Sequence, residues 1–270
     1  MNASVIEHLT SPNNPKIKAI KALHMRKTRK ETGLFLAEGL RSVLEGLDVG
    51  RTPKQLVFSD KDNKGGGLQR AIDETLKAGG QCYAVSDSVL EKLARKDNPQ
   101  MVLGVFEQTF HALPALDATK TKCLVALEEV RDPGNLGTII RTVDGVGADG
   151  VILIGQCCDP YSLESVRATM GSIFSIPLYQ TSLDGFVELS RNWPGSVVAT
   201  ALNDKTVDFR EADYKEPLIL VMGNEQAGIT QIIQDAVHQT VKLPMNGRAD
   251  SLNLAIATGI MLYAALEKWK

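Results

Sequence analysis

Residues 252–266 offer almost no polar face to water. Leu252, Leu254, Ile256, Ile260, Met261, Leu262, Tyr263 and Leu266 surround the helix that this stretch predicts, and Ala255, Ala257, Gly259, Ala264 and Ala265 fill the spaces between them. A helix that is apolar nearly all round is buried on more than one side. One face is therefore expected on a sheet. The other packs either on the rest of the core or, in the sharper reading, on a second copy of the chain, making a homodimer. What precedes the helix constrains it further. A strand over 240–243 runs into Pro244-Met245, and a polar loop follows with Asn246-Gly247. Asp250 or Ser251 is expected as the N-cap, because either side chain can accept the unpaired N–H groups of a first turn.

The remainder of the chain alternates strands with helices. Strands are predicted over 34–37, 55–58, 82–85 and 101–107, with helices between them, as in a small α/β layer domain. The stretch 111–122 has no clear period and carries Pro114. The alternation then resumes with stronger strands over 123–128, 150–154, 175–179, 196–201 and 217–222. The predicted organisation is a first domain over 1–112, a linker over 113–122 and a second domain over 123–270. The length of 270 residues suits two domains.

Several function classes are disfavoured. No apolar run is long enough for a membrane span, and residues 1–9 lack the basic start and apolar core of a signal peptide. Cys82, Cys123, Cys157 and Cys158 form no CxxC pair, and the four histidines are scattered. Neither a disulfide framework nor a metal site is expected, and a reducing cytoplasm fits. The net charge of −2 is uninformative, but its distribution is not. Lys16, Lys18, Lys21, Arg26, Lys27, Arg29 and Lys30 crowd one stretch, predicted as a single basic helix over 15–30. Such a stripe is either a solvated face or a surface for phosphate backbones.

Three loops that follow strands are candidates for chemistry, since ligands bind outside the carboxyl ends of parallel strands. The first is Asp132-Pro133-Gly134-Asn135-Leu136-Gly137, opening a helix that carries Arg141. The second is Met222-Gly223-Asn224-Glu225-Gln226-Ala227-Gly228. The third is the loop before the C-terminal helix. A dinucleotide fingerprint is not complete in any of them, which weighs against a nucleotide-dependent oxidoreductase.

Taken together and in this order, the loops resemble those of the SpoU/TrmH group of SPOUT RNA methyltransferases. Asp132-Pro133-Gly134-Asn135-Leu136-Gly137-Thr138-Ile139-Ile140-Arg141 is similar to that group's first motif. Leu220-Val221-Met222-Gly223-Asn224-Glu225 is similar to its second, and Leu243-Pro244-Met245-Asn246-Gly247 through Asp250-Ser251-Leu252-Asn253-Leu254-Ala255 to its third. Asp159-Pro160-Tyr161-Ser162 and Arg167-Ala168-Thr169-Met170-Gly171 match a connecting segment. The departures, Thr169 for serine and Leu254 for valine, touch no residue assigned to chemistry. The first domain resembles, more weakly, an L30e-like RNA-binding domain.

The resemblance implies an α/β fold in which the small L30e-like domain precedes a SPOUT domain with a parallel sheet and a C-terminal trefoil knot. It also implies S-adenosylmethionine as cofactor, a homodimer, and methylation of a ribose 2′-hydroxyl in RNA, with rRNA favoured over tRNA. The expected catalytic set is Arg141, Asn135, Glu225, Ser251 and Asn253, the last three orienting Arg141 or the substrate. The expected cofactor contacts are Gly223, Asn224, Gly228, Leu243, Met245 and Leu252. RNA contacts are expected from Lys16, Lys18, Arg26, Lys27, Arg29, Lys30 and Arg167. A non-catalytic RNA-binding or ribosome-assembly protein of the same fold is the alternative, and the intact catalytic set argues against it.

Overall fold

The computed structural model describes residues 6–61, 65–94, 101–113 and 116–268. Pro114, in the expected linker, lies outside them. The chain divides into two units, Met1–Gln108 with Asp159–Ser175, and Thr109–Cys158 with Ile176–Lys270.

The first unit contains β1 (Glu7–Leu9), α1 (Pro15–Ala22), α2 (Arg26–Thr32), β2 (Leu34–Glu38), α3 (Leu40–Asp48), β3 (Gln55–Ser59), α4 (Gly66–Lys77), β4 (Gln81–Val85), α5 (Asp87–Ala94) and β5 (Val102–Glu107). Its sheet runs β1-β4-β3-β5-β2, with β5 antiparallel to both neighbours. The predicted basic helix is two helices. Asn14 caps the first, accepting from the Lys16 N–H, and Met25 takes an extended backbone before the second. The break sets Ile17, Ile20 and Leu23 into the core, while Arg29 turns inward as well.

The second unit contains β6 (Cys123–Glu128), α6 (Pro133–Val146) and β7 (Gly150–Ile154). The chain then contributes α7 (Leu163–Thr169) and a 3-10 turn, Ser172–Phe174, to the first unit. It returns for β8 (Leu178–Thr181), α8 (Leu183–Asn192), β9 (Val197–Thr200), β10 (Val207–Asp208), β11 (Leu218–Met222), α9 (Gln231–Ala236), β12 (Gln239–Lys242) and α10 (Leu254–Glu267). The sheet order is β10-β12-β9-β11-β6-β7-β8, parallel throughout. Every residue of β6, β7 and β11 is buried, the near-continuous apolar run of a sheet covered on both faces.

The expected boundary at 123 therefore places Asp159–Ser175 in the other unit. Two ion pairs and an aromatic cluster account for the difference. Arg29 binds Asp159 and Arg167 binds the buried Glu38, while Phe35 meets Tyr161 and Phe174 ring to ring. Sequence patterning carried no sign of which unit α7 packs on.

Candidate active site

The strands β12, β9, β11 and β6 lie side by side and parallel, so their carboxyl ends deliver four loops to one edge of the sheet. Three are the motif loops. The fourth, after β9, carries Ala201 and Leu202, next to Thr200 at the strand's end, and sequence reading missed it, although the same carboxyl-end rule points to it. The loops after β9, β11 and β12 line a cavity of about 470 Å³, and the loop after β6 is not part of its wall; the volume is within the usual range for a small-molecule site.

Its wall includes the small or apolar residues Gly223, Leu243, Met245 and Leu252. The loop after β11 is closed on itself. Asn224 and Gly228 exchange N–H···O bonds at 2.9 Å in each direction. A Cβ on Gly223 would sit 2.2 Å from the Gly228 carbonyl carbon, so no other residue fits there. Gly228 itself takes φ +68, a left-handed conformation suited to glycine. The wall also carries Glu225, Asp250 and the cation Lys242.

A polar chain joins the three motif loops. Asn135 Nδ2 donates to Glu225 Oε1 at 3.1 Å, and Asn253 Nδ2 donates to Asn135 Oδ1 at 2.9 Å. Asn135 is held in turn by Asp132, which caps α6 by accepting the Asn135 N–H at 2.6 Å. Asn253 is the N-cap of α10, accepting from Ala255 and Ile256. The expected caps, Asp250 and Ser251, instead lie exposed in an irregular loop. Asn253 wins because its amide can cap the helix through Oδ1 and still donate to Asn135 through Nδ2.

Glu225 and Asn253 thus orient Asn135. Arg141 is exposed on α6 with no hydrogen bond or ion pair among the described residues, and Ser251 lines the cavity. Of the expected RNA contacts, Lys18, Arg26, Lys27 and Lys30 are exposed. Lys16 pairs with Glu7, which raises its pKa chiefly through the hydrogen bond between them. Arg29 is 5% exposed and committed to Asp159, so it cannot serve a phosphate; Arg167 is committed to Glu38.

The face of α10 away from the sheet leaves Ile256, Ile260 and Tyr263 exposed. Among the described residues no cluster of His, Cys, Asp and Glu could hold a metal ion, and no helix is long and apolar enough to cross a membrane.

A family model described as the SpoU rRNA Methylase family matches residues 122–263. The chain belongs to this family. A second model, described as the MRM3-like substrate binding domain, matches residues 14–104. Among SpoU relatives, the 23S rRNA (guanosine(2553)-2′-O)-methyltransferase RlmP of Bacillus subtilis is 31% identical over 258 residues, covering 96% of this chain and 98% of that one. The AdoMet-bound rRNA methyltransferase from Sinorhizobium meliloti superposes with TM-score 0.92 at 45% identity, covering 98% and 99% of the two chains. The SpoU methyltransferase AviRb from Streptomyces viridochromogenes, in complex with AdoMet, gives TM-score 0.83 at 28% identity over 95% and 98%. The family resemblance carried by the three motifs is borne out, and the oxidoreductase reading falls away.

Proposed function

We propose that this protein methylates a ribose 2′-hydroxyl of RNA with S-adenosylmethionine as donor, and that its substrate is rRNA. The observation that carries the reading is the hydrogen-bonded chain Asn253–Asn135–Glu225, whose Glu225 also lines the cavity. The donor is zwitterionic with an added sulfonium charge. The Glu225 and Asp250 carboxylates suit its cationic centres, Lys242 suits its carboxylate, and the apolar Leu243 and Leu252 suit its adenine. Relatives that act on 23S rRNA, RlmP among them, support rRNA over tRNA.

S-adenosylmethionine supplies an already electrophilic methyl carbon. The chain's task is to hold the ribose in line and to stabilise charge on its oxygen. Asn135, fixed through both ends of its amide, keeps one N–H and one lone pair for the ribose. Arg141 is always protonated and cannot take a proton. It anchors the adjoining phosphate and stabilises the negative charge that grows on the 2′-oxygen as its proton passes to solvent water. Ser251 completes the substrate side of the cavity. The first unit holds RNA through Lys18, Arg26, Lys27 and Lys30.

The same reading includes a homodimer through Ile256, Ile260 and Tyr263, whose exposure on one helix face is the observation in its favour. It also includes a C-terminal trefoil knot and a cytoplasmic location. Mapping 2′-O-methylation across rRNA and tRNA in cells with and without the gene tests it. One rRNA ribose that loses its methyl group is the expected result; an unchanged map refutes the activity, and a lost tRNA methyl refutes the choice of substrate.

A further inference from the structure

Glu129 follows β6, the strand beside β11 in the sheet, and takes φ +49. A residue with a side chain adopts this left-handed conformation rarely, and it persists only where surrounding contacts demand it. The side chain does not demand it: half-buried, it lies beside Gly155 and pairs its carboxylate with the exposed Arg131 at 2.8 Å, a pairing of little worth in water. The backbone is used on both sides. The N–H continues the sheet by donating to Ile154 O at 3.1 Å. The carbonyl oxygen, swung out of the strand direction, accepts from Asn224 Nδ2 at 2.9 Å.

Asn224 is the pivot of the loop that forms one wall of the cavity. Its Oδ1 accepts from Gln226 N at 2.9 Å and Ala227 N at 3.2 Å, and its backbone pairs with Gly228. The Oδ1 bonds hold the amide to its own loop, and the Nδ2 bond to the Glu129 carbonyl ties that loop to the end of β6. The next residue, Glu225, holds Asn135, so this tie bears on both the cradle and the polar chain.

We propose that Glu129 is a positioning residue for the cofactor cradle, its left-handed backbone aiming a carbonyl at Asn224 and so setting the loop from Gly223 to Gly228 in its binding shape. The inference rests on the cavity being the S-adenosylmethionine site. It makes the backbone conformation matter and the glutamate side chain dispensable.

The test is calorimetric affinity for S-adenosylhomocysteine together with thermal melting, on the full chain. Glu129→Gly and Glu129→Asn, which tolerate a left-handed backbone, should bind within about threefold of wild type. Glu129→Val, which resists it, should bind about tenfold more weakly or worse, the scale of one lost hydrogen bond. Asn224→Asp keeps Oδ1 and removes the donor, and should lose a similar factor. Combined with Glu129→Val it should add little, because both remove one contact. If the valine variant does not fold, Glu129→Thr, also β-branched, is read in the same way. A folded Val or Thr variant with wild-type affinity overturns the inference, as do losses that multiply in the double variant. A wild-type chain that binds neither S-adenosylhomocysteine nor S-adenosylmethionine overturns the reading of the cavity and this inference with it.

Discussion

Arg29 lies against Asp159, with Nη2 2.6 Å from Oδ2 and Nε 2.8 Å from the same oxygen. Its Nη1 donates to the carbonyls of Leu23 and His24 at 2.8 and 3.0 Å. An arginine in the middle of a basic run is thus a structural pin, tying two segments 130 residues apart.

Arg29→Ala should therefore destabilise the fold rather than weaken RNA binding alone. Removing one partner of a buried pair costs about 3–5 kcal/mol. Urea denaturation should register it. By contrast, neutralising Lys18, Lys27 and Lys30 should leave the urea midpoint in place, weaken RNA binding, and flatten its dependence on salt. A stable Arg29→Ala chain with specifically weakened RNA binding would contradict this assignment.

Arg141→Ala should leave cofactor affinity near wild type, since Arg141 is not among the residues lining the cavity. Turnover at saturating RNA should fall about a hundredfold or more, as when a transition-state donor is removed. Single-turnover methylation measures it. Full turnover at saturation would take Arg141 out of the mechanism.

The two roles of Asn253 can be separated. Asn253→Asp keeps the acceptor that caps α10 and suits the helix dipole, so melting should change little. It removes the donor to Asn135. Asn135 cannot compensate by flipping its amide, because that would turn Oδ1 onto Glu225. Turnover should fall about tenfold, the cost of one such hydrogen bond. Asn135→Ala, added to a chain already carrying Asn253→Asp, should cost less than it does alone. Wild-type turnover in the Asn253→Asp variant would remove the polar chain from the mechanism.

The apolar stripe on α10 bears on assembly. Ile256, at 58% exposed, and Tyr263, at 59%, are far from the burial that large apolar groups take in a core. Light scattering should find a dimer at micromolar concentration, with an interface above about 2,000 Å² if it is obligate. Ile256→Glu or Tyr263→Glu should shift it to monomer without lowering helix content. Monomeric wild type at that concentration would exclude the stripe as an interface.

Alkaline stability follows from two cysteines. Burial pushes the Cys82 and Cys123 thiols up from 9.0 to about 12. Their folded pKa lies above the unfolded one. The stability they contribute is intact below pH 9 and drains away as pH rises toward 12, because the unfolded chain releases these protons first. The urea midpoint should fall between pH 8 and pH 10.5. Replacing both by alanine should flatten that fall while lowering the midpoint at pH 8. An equal fall in the variant would assign the alkaline loss elsewhere.

The linear order of residues by itself determined much of this protein. Buried strands such as β6, β7 and β11 are continuous apolar runs, and the all-apolar pattern of α10 needs no partner to be visible. The three motif loops are contiguous stretches, so the family was legible without coordinates, while the cavity wall was legible only in the loops after β11 and β12 and not in Thr200, Ala201 and Leu202. What only the tertiary structure decided depends on groups distant in the chain. Asn135 meets Glu225 and Asn253 across 90 and 118 residues, and no periodicity encodes such a meeting. Arg29 and Lys30 are neighbours of like charge in the sequence, yet one is buried in an ion pair and the other is exposed, because the helix turns them to different sides. Glu129 gave no sign of its conformation, since the constraint that bends it is the amide of Asn224, on the loop after the neighbouring strand. Local patterns record which face a residue turns to water; the partner that waits on the buried face is set by how the strands and helices pack.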